Sequence, residues 1–228
     1  DTSIVENGVT YALDLVMNQD AGFYLDTRGV RTWLKENAGG RSILNTFAYT
    51  GSLGVAALAG GASRVVQIDR SARFLEQARA SLRLNHLDAS KMKCTAVDFF
   101  VAAGQMRRRG ESFDIVILDP PYFSVTPRGR VDQGNETTRL VNKARPLVND
   151  GGLLVIVNNA LFLAGSAYMQ ELEALTKSGY IAIHGIIPVE EDVTGYPGTV
   201  VGRPPADPAP FNHPTKIVVL KVNRKTTD

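Results

Sequence analysis

The chain has 228 residues, 44% of them hydrophobic and 21% charged, which is enough for one substantial core and within the size of a single domain. Its 25 basic and 23 acidic residues leave a formal charge of +2, without the large positive field of a dedicated nucleic-acid binder; its longest apolar runs, such as Leu153 to Val157, fall far short of the roughly 20 residues that span a bilayer. Cys94 is the single cysteine, so neither an internal disulfide nor a cysteine-rich metal site is available, and a reducing, cytoplasmic setting is expected.

The sequence opens at Asp1 without an initiator Met or a charged and apolar leader, as expected of a chain that has lost an upstream region. From Ser3 to Leu13, Asn7-Gly8 separates two β-prone runs and predicts a hairpin. This hairpin is read as an extension over residues 1–26, ahead of a main domain over 27–228. After Asp26, the apolar positions Val30, Trp33 and Leu34 recur at helical spacing and Gly39-Gly40 ends the run, predicting a helix from Thr27 to Ala38.

Strands are then predicted at Ile43 to Phe47, Val65 to Ile68, Lys93 to Ala96, Phe113 to Leu118, Leu153 to Val157, Ile181 to Ile187 and Ile217 to Val222. Helical patterns lie between them at Ser52 to Leu58, Ser71 to Asn85, Phe99 to Arg109, Asn135 to Val148 and Tyr168 to Lys177. Short, continuously apolar strands alternating with helices imply a doubly wound α/β domain, because a parallel sheet is buried on both faces. Phe123 to Gly134 is read as a substrate-access loop in which Arg128 and Arg130 either meet phosphates or are solvated. Arg107-Arg108-Arg109 closes a helix, where positive charge is favourable in any case. His184 is expected to be buried within its strand, and His86 to end a helix. Pro188 to Pro214, with five further prolines, reads as a long loop.

Ligands of open α/β sheets bind beyond the carboxyl ends of the strands. The first such turn is Ala48-Tyr49-Thr50-Gly51-Ser52-Leu53-Gly54, where glycine permits close backbone approach. The second strand ends at Asp69, a carboxylate suited to gripping ribose hydroxyls, followed by Arg70. The third leads to Asp98-Phe99, a carboxylate and a ring that together would define a base pocket. Each acidic residue would serve equally as a helix cap. The turn lacks the full glycine spacing of a dinucleotide fingerprint, so a nucleoside cofactor without pyrophosphate fits better.

The fourth strand closes on Asp119-Pro120-Pro121-Tyr122. With it and the segments Ala21 to Arg28, Leu44 to Gly51 and Val66 to Asp69, the chain resembles the class I methyltransferases that use S-adenosyl-L-methionine. Among them it is most similar to the large-subunit ribosomal RNA methyltransferases, which often carry an N-terminal PUA domain. The resemblance implies a Rossmann-like seven-stranded sheet with its last strand antiparallel. It assigns Tyr24, Arg28, Tyr49, Gly51, Asp69, Asp98 and Asp119 to the cofactor pocket, with Arg28 facing the methionine carboxylate; Asn45, Phe47, Thr50, Arg70 and Phe99, from the same strand ends, are expected beside them. Thr27 stands where the group usually has a longer polar residue.

Members that methylate C5 of cytosine carry a cysteine after the fifth strand, where this chain has Val157-Asn158-Asn159-Ala160. Carbon methylation needs such a thiolate to add to the ring; an amino or ring nitrogen needs only orientation and a proton acceptor. Asp119 and the Pro120 carbonyl suit that task, since prolines carry no amide hydrogen and the carbonyl is free to point into a pocket. Tyr122 is placed to stack on a planar substrate. Asn158 or Asn159 supplies either a substrate contact or a turn. The expected activity is nitrogen methylation of RNA, ribosomal RNA first. A small aromatic or amine substrate is the alternative, and a non-catalytic RNA-binding module the second. No metal is implied, and the oligomeric state is left open.

Overall fold

The computed structural model describes residues 2–17, 22–134, 136–194 and 204–224. The predicted helix start at Asn135 and residues 195–203 of the proline-rich segment lie outside them. The elements in chain order are β1 (Ser3–Glu6), β2 (Val9–Ala12), α1 (Arg28–Asn37), β3 (Ser42–Thr46), α2 (Ser52–Ala59), β4 (Arg64–Asp69), α3 (Ala72–Leu84), β5 (Met92–Ala96), α4 (Phe99–Arg108) and β6 (Phe113–Leu118). There follow β7 (Phe123–Thr126), β8 (Gly129–Asp132), α5 (Thr137–Ala144), β9 (Val148–Asn158), α6 (Gly165–Thr176), β10 (Ile181–Ile186), α7 (Glu191–Thr194) and β11 (Lys216–Val222).

Seven strands form one sheet in the order β10-β11-β9-β6-β3-β4-β5, and β11 alone runs antiparallel to both of its neighbours. Alternation along each strand divides the core between the two faces. On β6, Ile115 and Ile117 join Val30 and Leu34 of α1 on one side, while Val116 and Leu118 join Leu140 of α5 and Tyr168 of α6 on the other. Both faces are covered, which is why these strands read as continuous apolar runs.

Two expectations are corrected. Phe123 to Gly134 is not a plain loop, because β7 and β8 pair as an antiparallel hairpin from Phe123↔Asp132 to Thr126↔Gly129. His184 is exposed, not buried: on edge strand β10 it alternates with the inward Ile181 and Ile183 and shares the outer face with Ala182.

The predicted N-terminal hairpin turns at Asn7 and Gly8, with φ of 51° and 75° as the two-residue turn requires. Val9 and Tyr11 bury against Val55 of α2. Asn85 accepts from the Thr10 amide at 2.8 Å and donates to the Thr10 carbonyl at 2.6 Å, so a side chain satisfies the outer edge of β2. The hairpin is fixed to α1 by a buried ion pair in which Arg31 Nε donates to Glu6 Oε1 at 2.6 Å and Arg31 Nη2 to Oε2 at 2.9 Å.

Breaking a buried pair on one side strands the other charge. Glu6→Ala should therefore lower unfolding free energy by roughly 3–5 kcal/mol, while the double variant with Arg31→Met recovers much of the loss. Urea denaturation of the three proteins checks this.

Candidate active site

Parallel pairing aligns the carboxyl ends of β3, β4 and β6, with Thr46 opposite both Ile68 and Leu118. The chain leaves β3 through an unusual turn in which Phe47, Tyr49 and Gly51 all have positive φ, at 54°, 51° and 76°. Left-handed backbone costs a non-glycine residue about 1–2 kcal/mol, so the surroundings must impose it. The Ala48 amide donates to the Ile68 carbonyl at 2.7 Å, the Tyr49 amide to Asp69 Oδ2 at 2.8 Å and Thr50 Oγ1 to the Gly22 carbonyl at 2.7 Å. Beneath the turn, Asn45 Nδ2 donates to Gln67 Oε1 at 2.9 Å and Gln67 Nε2 to the Gly51 carbonyl at 3.2 Å. A Cβ on Gly54 would fall 2.5 Å from the Gln67 amide carbon, and one on Gly51 would fall 2.4 Å from Ala78 Cβ. The two glycines thus let the turn close onto Gln67.

A cavity of about 320 Å³ opens at these strand ends. Of the residues expected there, it brings together Tyr24, Phe47, Tyr49, Thr50, Asp69, Arg70, Asp98, Asp119 and Pro120. Asp69 accepts from the Tyr49 and Ser71 amides, and Asp98 caps α4 by accepting from the Phe100 amide at 2.9 Å. Each is a backbone anchor and a cavity wall at once, so the cap and the ligand site are not alternatives.

Five expected residues stand elsewhere. Arg28 points away from the cavity, pairing with Asp192 and with Glu6 Oε2 at 3.2 Å, because α1 turns that face toward the hairpin and α7. Asn45 is buried under the turn beside Gln67. Gly51 shapes the turn without lining the cavity. Phe99 lies in the core, 4.8 Å from the Phe47 ring, and the next residue, Phe100, supplies the wall instead. Tyr122 is 51% exposed outside the cavity lining, next to exposed Phe123.

At the floor, burial pushes the Asp119 carboxyl up to about 7, the nearby Asp26 carboxylate adds to the rise and Arg31 opposes it. The Pro120 carbonyl is not free: Gln133 Nε2 donates to it. Sequence reading missed Gln133, which no periodicity marks. It separates the two asparagines as well. Asn158 is structural, donating to the Gln133 carbonyl at 3.0 Å and accepting from the Ala160 amide at 2.9 Å, whereas Asn159 lines the cavity. Behind them the buried Lys216 donates to the carbonyls of Ala160 and Pro214 at 2.9 and 2.7 Å, and burial lowers its pKa to about 8. Asp26 also lines the cavity and accepts from Thr215 Oγ1 at 2.6 Å. Among the described residues, no three His, Cys, Asp or Glu gather as a metal site.

A family model described as S-adenosylmethionine-dependent methyltransferase matches residues 1–182. The ribosomal RNA large subunit methyltransferase I of Photobacterium profundum is 36% identical over 166 residues, covering 70% of this chain and 42% of that protein. Its namesake in Serratia proteamaculans is 36% identical over 153 residues, covering 67% and 38%. This chain thus spans about two fifths of the length of these curated relatives. Among solved structures, the methyltransferase SMU.776 in complex with SAH superposes with a TM-score of 0.83 at 25% identity, covering 96% of this chain and 55% of that one.

The raised Asp119 pKa has a consequence for stability. The folded state holds a proton that the unfolded chain releases near its ordinary value, so this stabilisation is complete below about pH 4 and is lost as pH rises through about 7. Relative to Asp119→Asn, the wild-type protein should lose on the order of 2–4 kcal/mol between these limits. Paired urea titrations across pH measure the difference, and parallel curves would rule out the shift.

Proposed function

This chain belongs to the family of S-adenosylmethionine-dependent methyltransferases, and on that premise we propose that it methylates a base nitrogen of RNA, ribosomal RNA first, with Asp119 and Pro120 at the point of transfer. The residues present fit the cofactor. A cavity of about 320 Å³ is at the lower end of the range for small-molecule sites, and it combines the Phe47, Tyr49, Phe74 and Phe100 rings with the carboxyl groups of Asp26, Asp69, Asp98 and Asp119. Asp69 would take the ribose hydroxyls with the lone pairs its backbone bonds leave over. Asp98, one of whose oxygens has no partner among the described residues, would take the adenine amino group beside Phe100. Tyr24, Tyr49, Thr50 and Arg70 would enclose the rest.

When bound, S-adenosylmethionine supplies an electrophilic methyl group. Asp119 would orient the target nitrogen toward that methyl group and take the N–H proton released on transfer. A carboxyl held near 7 is matched to this exchange at physiological pH. Pro120 would accept a second N–H or fix the direction of the first, and Tyr122 would receive the base at the cavity mouth.

The observation that carries the nitrogen reading is the absence of a thiolate beside Asp119. Cys94 lies on edge strand β5, outside the cavity lining, and burial raises its pKa, which is the opposite of what a nucleophile needs. The RNA substrate is supported by the names of the relatives, and a cytoplasmic site of action follows from it. No helix among the described residues is long and apolar enough to cross a membrane.

Incubating the protein with total cellular RNA and methyl-labelled cofactor should label RNA, with the label on an N-methyl nucleoside by mass spectrometry. Label incorporated from a metabolite extract that was treated with ribonuclease beforehand would favour a small substrate instead. Asp69→Ala should weaken cofactor binding by about tenfold or more in calorimetric titration; unchanged affinity would remove Asp69 from the site.

A further inference from the structure

Gln133 is 2% exposed although it belongs to the connection between β8 and α5. Its side chain spans the segments that follow β6 and β9. The assignment of its two amide atoms is forced by its partners: the Pro120 carbonyl can only accept, so Nε2 faces it, and the Asn159 amide can only donate, so Oε1 faces that at 2.6 Å. Its main chain extends the tie, the amide donating to the Tyr122 carbonyl at 3.0 Å and the carbonyl accepting from Asn158 Nδ2 at 3.0 Å. One buried residue therefore joins the Asp-Pro-Pro-Tyr segment, the β7–β8 hairpin and the Asn158-Asn159 turn. Pro120 and Asn159 both line the cavity.

We infer that Gln133 is the positioning residue of the target pocket, holding the Pro120 carbonyl so that one acceptor direction is left for a substrate N–H and setting the Asn159 main chain as a second wall. The inference rests on the base-nitrogen reading above. It follows from the chemistry of the motif: Pro120 and Pro121 have no amide hydrogens, so the segment cannot fasten itself by backbone bonds and needs a donor from elsewhere. A glutamine meets the demand because it donates at one atom and accepts at the other, and neither a carboxylate nor an aliphatic side chain of that length does both.

Gln133→Glu, nearly the same shape, tests this. Protonated, the carboxyl donates to Pro120 and accepts from Asn159; ionised, it sets a lone pair against the Pro120 carbonyl. Turnover on total cellular RNA at saturating cofactor, expressed as the ratio of variant to wild type, should fall by about tenfold or more from about pH 6 to about pH 9. Affinity for SAH should stay within about twofold, since Gln133 does not line the cofactor cavity. The neighbouring carboxylates Asp119, Asp132 and Glu136 are common to both proteins, so the ratio reports the change at residue 133. Gln133→Leu should show a loss that does not depend on pH. A flat ratio for Gln133→Glu, whatever its level, overturns the inference, because a merely structural defect would not follow the protonation of residue 133.

If Gln133→Glu does not fold, Asn158→Ala removes the bond to the Gln133 carbonyl together with the one from the Ala160 amide, leaving Gln133 itself in place. Reduced turnover with intact SAH affinity then supports the inference, and unchanged turnover overturns it. Should wild-type protein label no RNA, the base-nitrogen reading fails separately. Amide hydrogen exchange then decides: residues 119–134 and 158–162 must lose protection together in Gln133→Leu, and unchanged protection overturns the inference.

Discussion

Arg31 carries its charge into the interior between the N-terminal hairpin and α1, and much of the cavity depends on how that charge is answered. Glu6 takes two of its guanidinium nitrogens, and the third donates to the Tyr24 carbonyl at 2.9 Å and Thr27 Oγ1 at 2.8 Å, while the Phe23 ring lies 4.1 Å from the guanidinium carbon. A buried pair of this kind is weak evidence for net stability and better evidence for a fixed arrangement. What it fixes is the segment from Tyr24 to Thr27, which brings Tyr24 to 5.5 Å from the Tyr49 ring and Asp26 to Thr215. The same guanidinium opposes the rise in the Asp119 pKa. One ion pair thus holds a wall of the site and limits the rise in the pKa of its central carboxyl.

What sequence reveals about such a site depends on whether the information is local. A carboxylate at the end of an apolar strand is a local fact, and Asp69, Asp98 and Asp119 all reach the cavity. The face of a helix is legible only when its apolar stripe is read together with the polar residue inside it. Val30, Leu34 and Ala38 are buried on α1 and at its end, and Arg31 falls within that stripe while Arg28 falls at its margin. That phase marks Arg31 as the buried cation, and its partner Glu6, 25 residues earlier, explains why it is tolerated. Phe99 and Phe100 differ by one step around a helix, and composition cannot choose between them. His184 differs for a related reason: an apolar run reads as buried throughout, but β10 is an edge strand whose inward residues are Ile181 and Ile183, and the residues between them face out.

The double duty of Asp69 and Asp98 follows from topology. In a parallel sheet each crossover helix must begin beyond the carboxyl end of the strand before it, so its exposed amides and the ligand crevice occupy the same place. An aspartate that bonds the first amides of the next segment is therefore already at the crevice, with lone pairs to spare. Asking whether such a residue is a cap or a ligand site poses a choice the fold does not make. The turn after β3 is the harder case, since three residues there take left-handed backbone. Its support comes from Asn45 and Gln67 on adjacent strands, a pairing visible only once the register of β3 and β4 is known.

The Asp119 to Tyr122 segment carries the same lesson into chemistry. Two prolines keep Pro120 and Pro121 out of any ladder, which is what allows a carbonyl to serve a ligand, yet the same property leaves the segment without donors of its own. A carbonyl on an unfastened segment is a poor positioning device, because any bond it makes must first pay the entropy of ordering it. The required donor has to come from another part of the chain, and Gln133 supplies it from beyond a hairpin that the sequence does not clearly announce. A motif of four residues is thus half of a site whose other half has no motif. The burial of an uncharged polar side chain in a surface connection is the structural sign by which that other half is found.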